Sequence, residues 1–120
     1  MVDAQRRMLI VDDELDICDC LQHYFTSQGF SVASAFSGEE ALEQLSGLHA
    51  DFLLLDINLP GLSGMEVLRR AKILYPDIHV VMVTGLDYKE LREEAKRYGA
   101  AAYVTKPFDF SAATWSAVLT

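Results

Sequence analysis

Short apolar runs alternate with longer amphipathic stretches along the chain, a rhythm that predicts repeated strand–helix units. Met8 to Asp12 reads as a first strand. A helix follows from Glu14 to Gln28, with Ile17, Leu21, Tyr24 and Phe25 on one face and Gly29 as its stop. Ser31 to Ala35 is a weaker second strand. Ser37 with Glu40 three residues on has the pattern of a capping box, opening a helix through Ala41, Leu42 and Leu45 that ends near Gly47. Asp51 to Asp56 holds three consecutive leucines, the continuous apolar pattern of a strand covered on both faces, and is therefore placed centrally. Beyond Leu59-Pro60-Gly61, a helix from about Met65 to Tyr75 carries Glu66 four residues before Arg70 and is ended by Pro76. His79 to Thr84 is a fourth strand. Asp87 with Glu90 is predicted to cap a fourth helix that Gly99 closes, and Ala101 to Thr105 is the fifth strand.

Five such units predict an open parallel sheet with helices on both faces, because right-handed crossovers put them there. Periodicity leaves the strand order open. In the flavodoxin-like order 2-1-3-4-5, the first and third strands flank a switch point, and ligands bind outside the carboxyl ends of the strands beside it.

A chain of 120 residues, 51% of them hydrophobic, is the size of one domain and can bury a core without metal or disulfide staples. Its apolar runs, such as Phe52 to Leu55 and Val80 to Val83, are far short of the ~20 residues of a membrane span. Met1 to Arg7 contains no long apolar segment of the kind a secretion signal needs, so a cytoplasmic location is expected. Cys18 and Cys20, two apart on a helix, point to nearly opposite sides and cannot bridge. His23, His49 and His79 are scattered one per element, which argues against a structural zinc site; His23 reads as a surface side chain. The net charge of −8 disfavours direct nucleic-acid binding, which depends on Lys and Arg contacts to phosphates. The basic positions at Arg69, Arg70 and Lys72 and from Lys89 to Arg97 read as solvated helix faces.

Candidate chemistry gathers at the strand ends. The first strand ends at Asp12 and Asp13, the third at Asp56, the fourth at Thr84 and the fifth at Lys106, so all five residues face one edge of the sheet. Two carboxylates about 4 Å apart repel by roughly 4 kcal/mol near a protein surface, and three together call for a cation. Mg²⁺ suits an all-oxygen site better than zinc, since it keeps several waters and is commonly held by carboxylates plus a phosphoryl oxygen.

The runs Ile10-Val11-Asp12-Asp13-Glu14, Leu55-Asp56-Ile57-Asn58-Leu59-Pro60-Gly61, Val83-Thr84-Gly85 and Lys106-Pro107-Phe108 resemble the response-regulator receiver family, in that family's order and at matching strand ends. The resemblance covers nearly all of the chain. It implies a phosphoacceptor switch that takes a phosphoryl group from a sensor histidine kinase or phosphotransfer protein onto Asp56. Asp12, Asp13, Asp56 and the backbone carbonyl of Asn58 would hold Mg²⁺ (or Mn²⁺), with Lys106 stabilising phosphoryl charge and Thr84 donating its hydroxyl to the product. Gly85 leaves room beside the site. Tyr103 matches the family's switching aromatic, which remodels the surface of helix 4, strand 5 and helix 5 to control an output partner or domain. Lys106-Pro107 matches its cis peptide. Asn58 and Leu86 stand at positions that set phosphate lifetime. Such a domain catalyses its own phosphorylation and dephosphorylation without being a metabolic enzyme.

Taken singly, Thr84, Tyr103 and Lys106 also fit ordinary strand-end, half-buried and solvated roles. Two rival functions share the fold or the aspartate. A haloacid-dehalogenase-type phosphatase would carry Asp, not Asn58, two residues after its nucleophile and would place its metal acids later in the chain. A flavodoxin-like FMN binder would not line its phosphate loop with Asp12-Asp13-Glu14. Phe110 to Thr120 holds no charged residue and departs from the family pattern. Residues 1–120 are therefore expected to be one receiver domain, with two readings of that segment. In one, the chain is an N-terminal part of a longer regulator. In the other, a short last helix packs on a partner through Trp115, with a phosphorylation-dependent homodimer as one form.

Overall fold

The computed structural model describes residues 6–116 and 118–119. The opening residues 1–5, on which part of the argument against a secretion signal rests, lie outside them. Among the described residues, five strands alternate with five helices: β1 (Arg7–Val11), α1 (Leu15–Ser27), β2 (Ser31–Ala35), α2 (Gly38–Leu48), β3 (Phe52–Leu55), α3 (Gly64–Leu74), β4 (His79–Thr84), α4 (Lys89–Arg97), β5 (Ala102–Thr105) and α5 (Ala112–Trp115). The strands form one sheet of order β2-β1-β3-β4-β5, every pairing parallel, which is the flavodoxin-like arrangement.

Alternation along the strands divides the core in two. Leu9, Val11, Leu53, Leu55, Val80 and Met82 pack beneath α2, α3 and α4, while Met8, Ile10, Leu54, Val81, Val83 and Val104 pack against α1 and Trp115. Because helices cover both faces, the central strands β1, β3 and β4 are apolar at consecutive positions.

The helix signals held in part. Ser37 accepts a hydrogen bond from the Glu40 N–H at 3.1 Å, and Glu66 pairs with Arg70 at 2.8 Å. Gly99 has φ +102°, the left-handed turn that ends a helix. Helix α2 runs past Gly47, and His49 takes the left-handed position instead, with φ 54°. Asp87 does not cap α4. Its carboxylate takes a charge-assisted bond from Arg92 Nε at 2.7 Å, and the cap position falls to Tyr88 with no side-chain bond.

Trp115 corrects the expectation of a partner contact. The indole is 2% exposed, lies edge-on to Phe25 and Phe108, and donates its N–H to the Asp109 carbonyl, so the core consumes it. The last helix is short, as expected. Cys18 is buried and Cys20 exposed, both free. Among the described residues, no helix is long and apolar enough to cross a membrane.

Candidate functional site

The parallel ladder continues one residue beyond three of the strands, and this sets where the polar side chains emerge. Asp12 N–H bonds the Ala35 carbonyl at 3.1 Å, Asp56 N–H the Val11 carbonyl at 3.0 Å, and Lys106 N–H the Thr84 carbonyl at 2.9 Å. Side chains at these positions converge above the carboxyl edge of the sheet, with Asp12 and Asp56 on the adjacent strands β1 and β3. The Lys106-Pro107 peptide is cis.

The Lys106 ammonium lies among three carboxylates: Asp12 Oδ2 at 2.7 Å, Glu14 Oε2 at 2.6 Å and Asp56 Oδ2 at 2.9 Å. The remaining oxygens are also held, since Asp12 Oδ1 accepts the Glu14 N–H at 2.9 Å and Asp56 Oδ1 the Asn58 N–H at 3.2 Å. Burial raises the Asp12 carboxyl above its ordinary value, against the opposing bonds from Lys106 and Glu14 N–H. Burial also pulls the Lys106 ammonium down, but its bonds to Asp12, Glu14 and Asp56 outweigh that pull. The net shift is upward, and Lys106 is charged at neutral pH.

The loop after Asp56 is clamped from below. A Cβ at Gly64 would stand 1.8 Å from the Asp56 carbonyl oxygen, while the Gly64 N–H bonds the Ile57 carbonyl at 2.8 Å. The start of α3 thus docks backbone to backbone against the peptide that carries Asp56, and Ser63 caps the helix by accepting the Glu66 N–H.

The family model for the response regulator receiver domain matches residues 8–114. The chain belongs to this family. Receivers act as phosphoacceptor switches in two-component signalling, and that is the general function here. The chain is 34% identical over 103 residues to sporulation initiation phosphotransferase F of Bacillus subtilis (strain 168), covering 86% of this chain and 83% of that protein. It is 37% identical over 103 residues to transcriptional regulatory protein ZraR of Escherichia coli (strain K12), spanning 86% of this chain but only 23% of that longer protein. The CheY-like response regulator receiver domain protein from Methanospirillum hungatei JF-1 superposes with a TM-score of 0.86 at 33% identity, over 88% of this chain and 85% of that one.

Within the receiver, Asp12, Asp13 and Asp56 each offer a carboxylate oxygen, and these oxygens lie within 4.8 Å of one another. A donor set of oxygens without Cys or His fits a hard cation such as Mg²⁺. Asp13 is exposed and makes no bond to Lys106, so its carboxylate is open to a metal, whereas those of Asp12 and Asp56 share the ammonium. Asn58 and Gly85 line the same cleft, and a Cβ at Gly85 would meet nothing within 4 Å, consistent with open room there.

Thr84 is fully buried. Its Oγ1 accepts the Leu86 N–H at 3.3 Å, and the Leu86 carbonyl accepts the Tyr103 hydroxyl. Leu86 therefore joins the strand-end hydroxyl to the aromatic on β5 through its own peptide groups. The Arg92 guanidinium lies 4.6 Å from the centre of the Tyr103 ring and ties α4 to β5.

All the residues singled out from sequence gather on this edge or, for Tyr103, one hydrogen bond behind it. Two contributors were missed. Glu14 reads in sequence as the start of the first helix and one of three adjacent acids, with no site role of its own, yet it reaches Lys106 across 92 positions of chain. Gly64 carried no signal, because its role arises from a through-space approach of two backbones.

Proposed function

We propose that Asp56 is the phosphoacceptor. The observation that carries this reading is its position: at the end of the buried central strand β3, 5% exposed, between a lysine and an acid pair suited to a divalent cation. An Asp56 carboxylate oxygen attacks phosphorus, the bond from phosphorus to the donor's histidine nitrogen breaks, and that nitrogen keeps the electron pair. Asp12, Asp13, Asp56 and the Asn58 carbonyl would hold Mg²⁺ (or Mn²⁺), which when bound would supply positive charge toward the transferring group. Lys106, already placed on Asp56, supplies the second positive charge. The Thr84 hydroxyl accepts from Leu86 N–H and keeps its own hydrogen free to donate to a phosphoryl oxygen. Donation requires its rotation, which acts on the Leu86 peptide and through it on Tyr103.

The donor is a sensor histidine kinase or phosphotransfer protein, and residues 1–120 serve as one receiver module. Its output passes through the face of α4, β5 and α5 to a partner, to another domain, or to a second copy in a phosphorylation-dependent homodimer. Sedimentation with a non-hydrolysable phosphoryl mimic distinguishes the homodimer from the other outputs. To test the chemistry, the protein is incubated with a small phosphodonor and excess Mg²⁺ or chelator. Label that forms only with metal and is released by hydroxylamine supports an acyl phosphate; label stable to hydroxylamine contradicts it.

Leu86 lines the cleft and offers no side-chain hydrogen bond to orient an attacking water. We propose that it shields the phosphate, with Asn58 compensating in part. Leu86→Gln is expected to shorten the phosphate lifetime by about tenfold, less than the roughly hundredfold or more of a positioned general base, because an amide only orients the water. A lifetime equal to the parent's or longer, followed by loss of label after donor removal, argues against shielding.

A further inference from the structure

An ammonium has three N–H donors, and those of Lys106 face Asp12, Glu14 and Asp56 at 2.7, 2.6 and 2.9 Å. A phosphoryl oxygen arriving on Asp56 must therefore displace one of these carboxylates. They are not equally replaceable. The Asp12 side chain is 3% exposed, and its second oxygen is fixed by the Glu14 N–H. The Asp56 side chain is 6% exposed and carries the incoming group itself. Glu14 is 59% exposed, occupies the cap position of α1 and makes no side-chain capping bond. Its carboxylate returns to water with little desolvation to reverse, as for other surface ion pairs.

We propose that Glu14 is a positioning residue: it holds Lys106 over the acid pocket at rest and is the partner exchanged for the phosphoryl oxygen, so that it restrains the rate of phosphoryl acceptance. This inference rests on Asp56 being the phosphoacceptor. Two effects act in the same direction. Glu14 occupies the N–H that the phosphoryl group needs, and its negative charge repels an anionic donor near the mouth of the cleft. No covalent bond of Glu14 changes. The exchange is one of hydrogen-bond acceptors on Lys106.

The test compares the parent with Glu14→Gln and Glu14→Asp. Phosphoramidate is the probe, with saturating Mg²⁺, and the rate of mass increase is the readout. Glu14→Gln is expected to accept the phosphoryl group about two- to fivefold faster, the range that a surface ion pair spans. Glu14→Asp keeps the charge but falls one methylene short of the ammonium, and is expected in between. The gain of Glu14→Gln should shrink with added salt, which screens exposed charges. In chelator, the Lys106 ammonium hydrogens should exchange with water faster in Glu14→Gln than in the parent by nuclear magnetic resonance, while the melting temperature stays nearly the same. A Glu14→Gln rate at or below the parent's, or unchanged ammonium exchange, overturns the role of Glu14 if Asp56→Asn still takes no label. Undiminished labelling of Asp56→Asn overturns the reading beneath it.

Discussion

Replacing Gly64 with alanine is expected to destabilise the domain by about 3 kcal/mol, the upper end for forced overpacking, and to slow phosphoryl acceptance as well. The added Cβ would lie 1.8 Å from the Asp56 carbonyl oxygen and 2.7 Å from Ile57 Cα. Both neighbours are backbone, so no side chain can swing aside to make room. Relief requires moving the start of α3, which strains the Gly64 N–H bond to Ile57 and the Ser63 cap, or moving the Asp56 peptide itself. In the second case the carboxylate leaves its place beside Lys106, and a misplacement of about 1 Å at a reacting group costs on the order of a hundredfold in rate. Urea unfolding gives the stability change, and phosphodonor labelling of the folded variant gives the rate. A variant that matches the parent in both measurements contradicts the backbone docking described for α3.

Asp13→Asn is expected to raise the melting temperature of the metal-free protein and to remove most of the stabilisation that Mg²⁺ gives the parent. Lys106 compensates Asp12, Glu14 and Asp56 but makes no bond to Asp13, so in chelator Asp13 adds repulsion with no ion pair among the described residues to lose. A cation bound only to the folded state adds about 2.7 kcal/mol at a hundredfold excess over its dissociation constant. Most of that gain should vanish with one of the three carboxylate ligands. The same crowding sets a pH trend. Burial lifts the Asp12 carboxyl above its unfolded value of 3.8, so the folded state binds its proton more tightly. The Asp12 contribution in chelator therefore falls as pH rises from the unfolded value through the folded one. Thermal melts of parent and variant, each with chelator and with excess Mg²⁺, make the test. A variant less stable than its parent in chelator means that Asp13 makes bonds outweighing the repulsion.

Much of this architecture was legible because a parallel sheet buried on both faces leaves a strong pattern. Ser31 to Ala35 and His79 to Thr84 were bounded to the residue, and Ser37 caps its helix by accepting the Glu40 N–H, although the Glu40 carboxylate accepts from Gln44 and does not complete the capping box. Strand order was not legible from periodicity, since β1, β3 and β4 present the same continuous apolar run wherever they stand; the order 2-1-3-4-5 entered only as the flavodoxin-like case. Asp12, Asp56, Thr84 and Lys106 could be placed because strand ends were known and parallel strands put those ends on one edge. What sequence concealed depends on side-chain reach or on through-space contact. Asp87 has an N-cap pattern, yet its carboxylate is taken by Arg92 Nε five residues on, a side-chain reach that the pattern does not show. Trp115 lies in a weakly polar segment and reads as available, but Phe25 and Phe108 enclose it from other elements. Glu14 meets Lys106 only because a long side chain bends over the pocket.

The central claim is that Asp56 receives the phosphoryl group, and the most direct measurement is the intact mass of the parent and of Asp56→Asn after incubation with phosphoramidate and Mg²⁺. The parent is expected to gain one phosphoryl group and Asp56→Asn none, although Asp12, Asp13 and Glu14 remain as alternative carboxylates in the same cleft. Asp56→Asn gaining the group to the same extent as the parent would contradict the account.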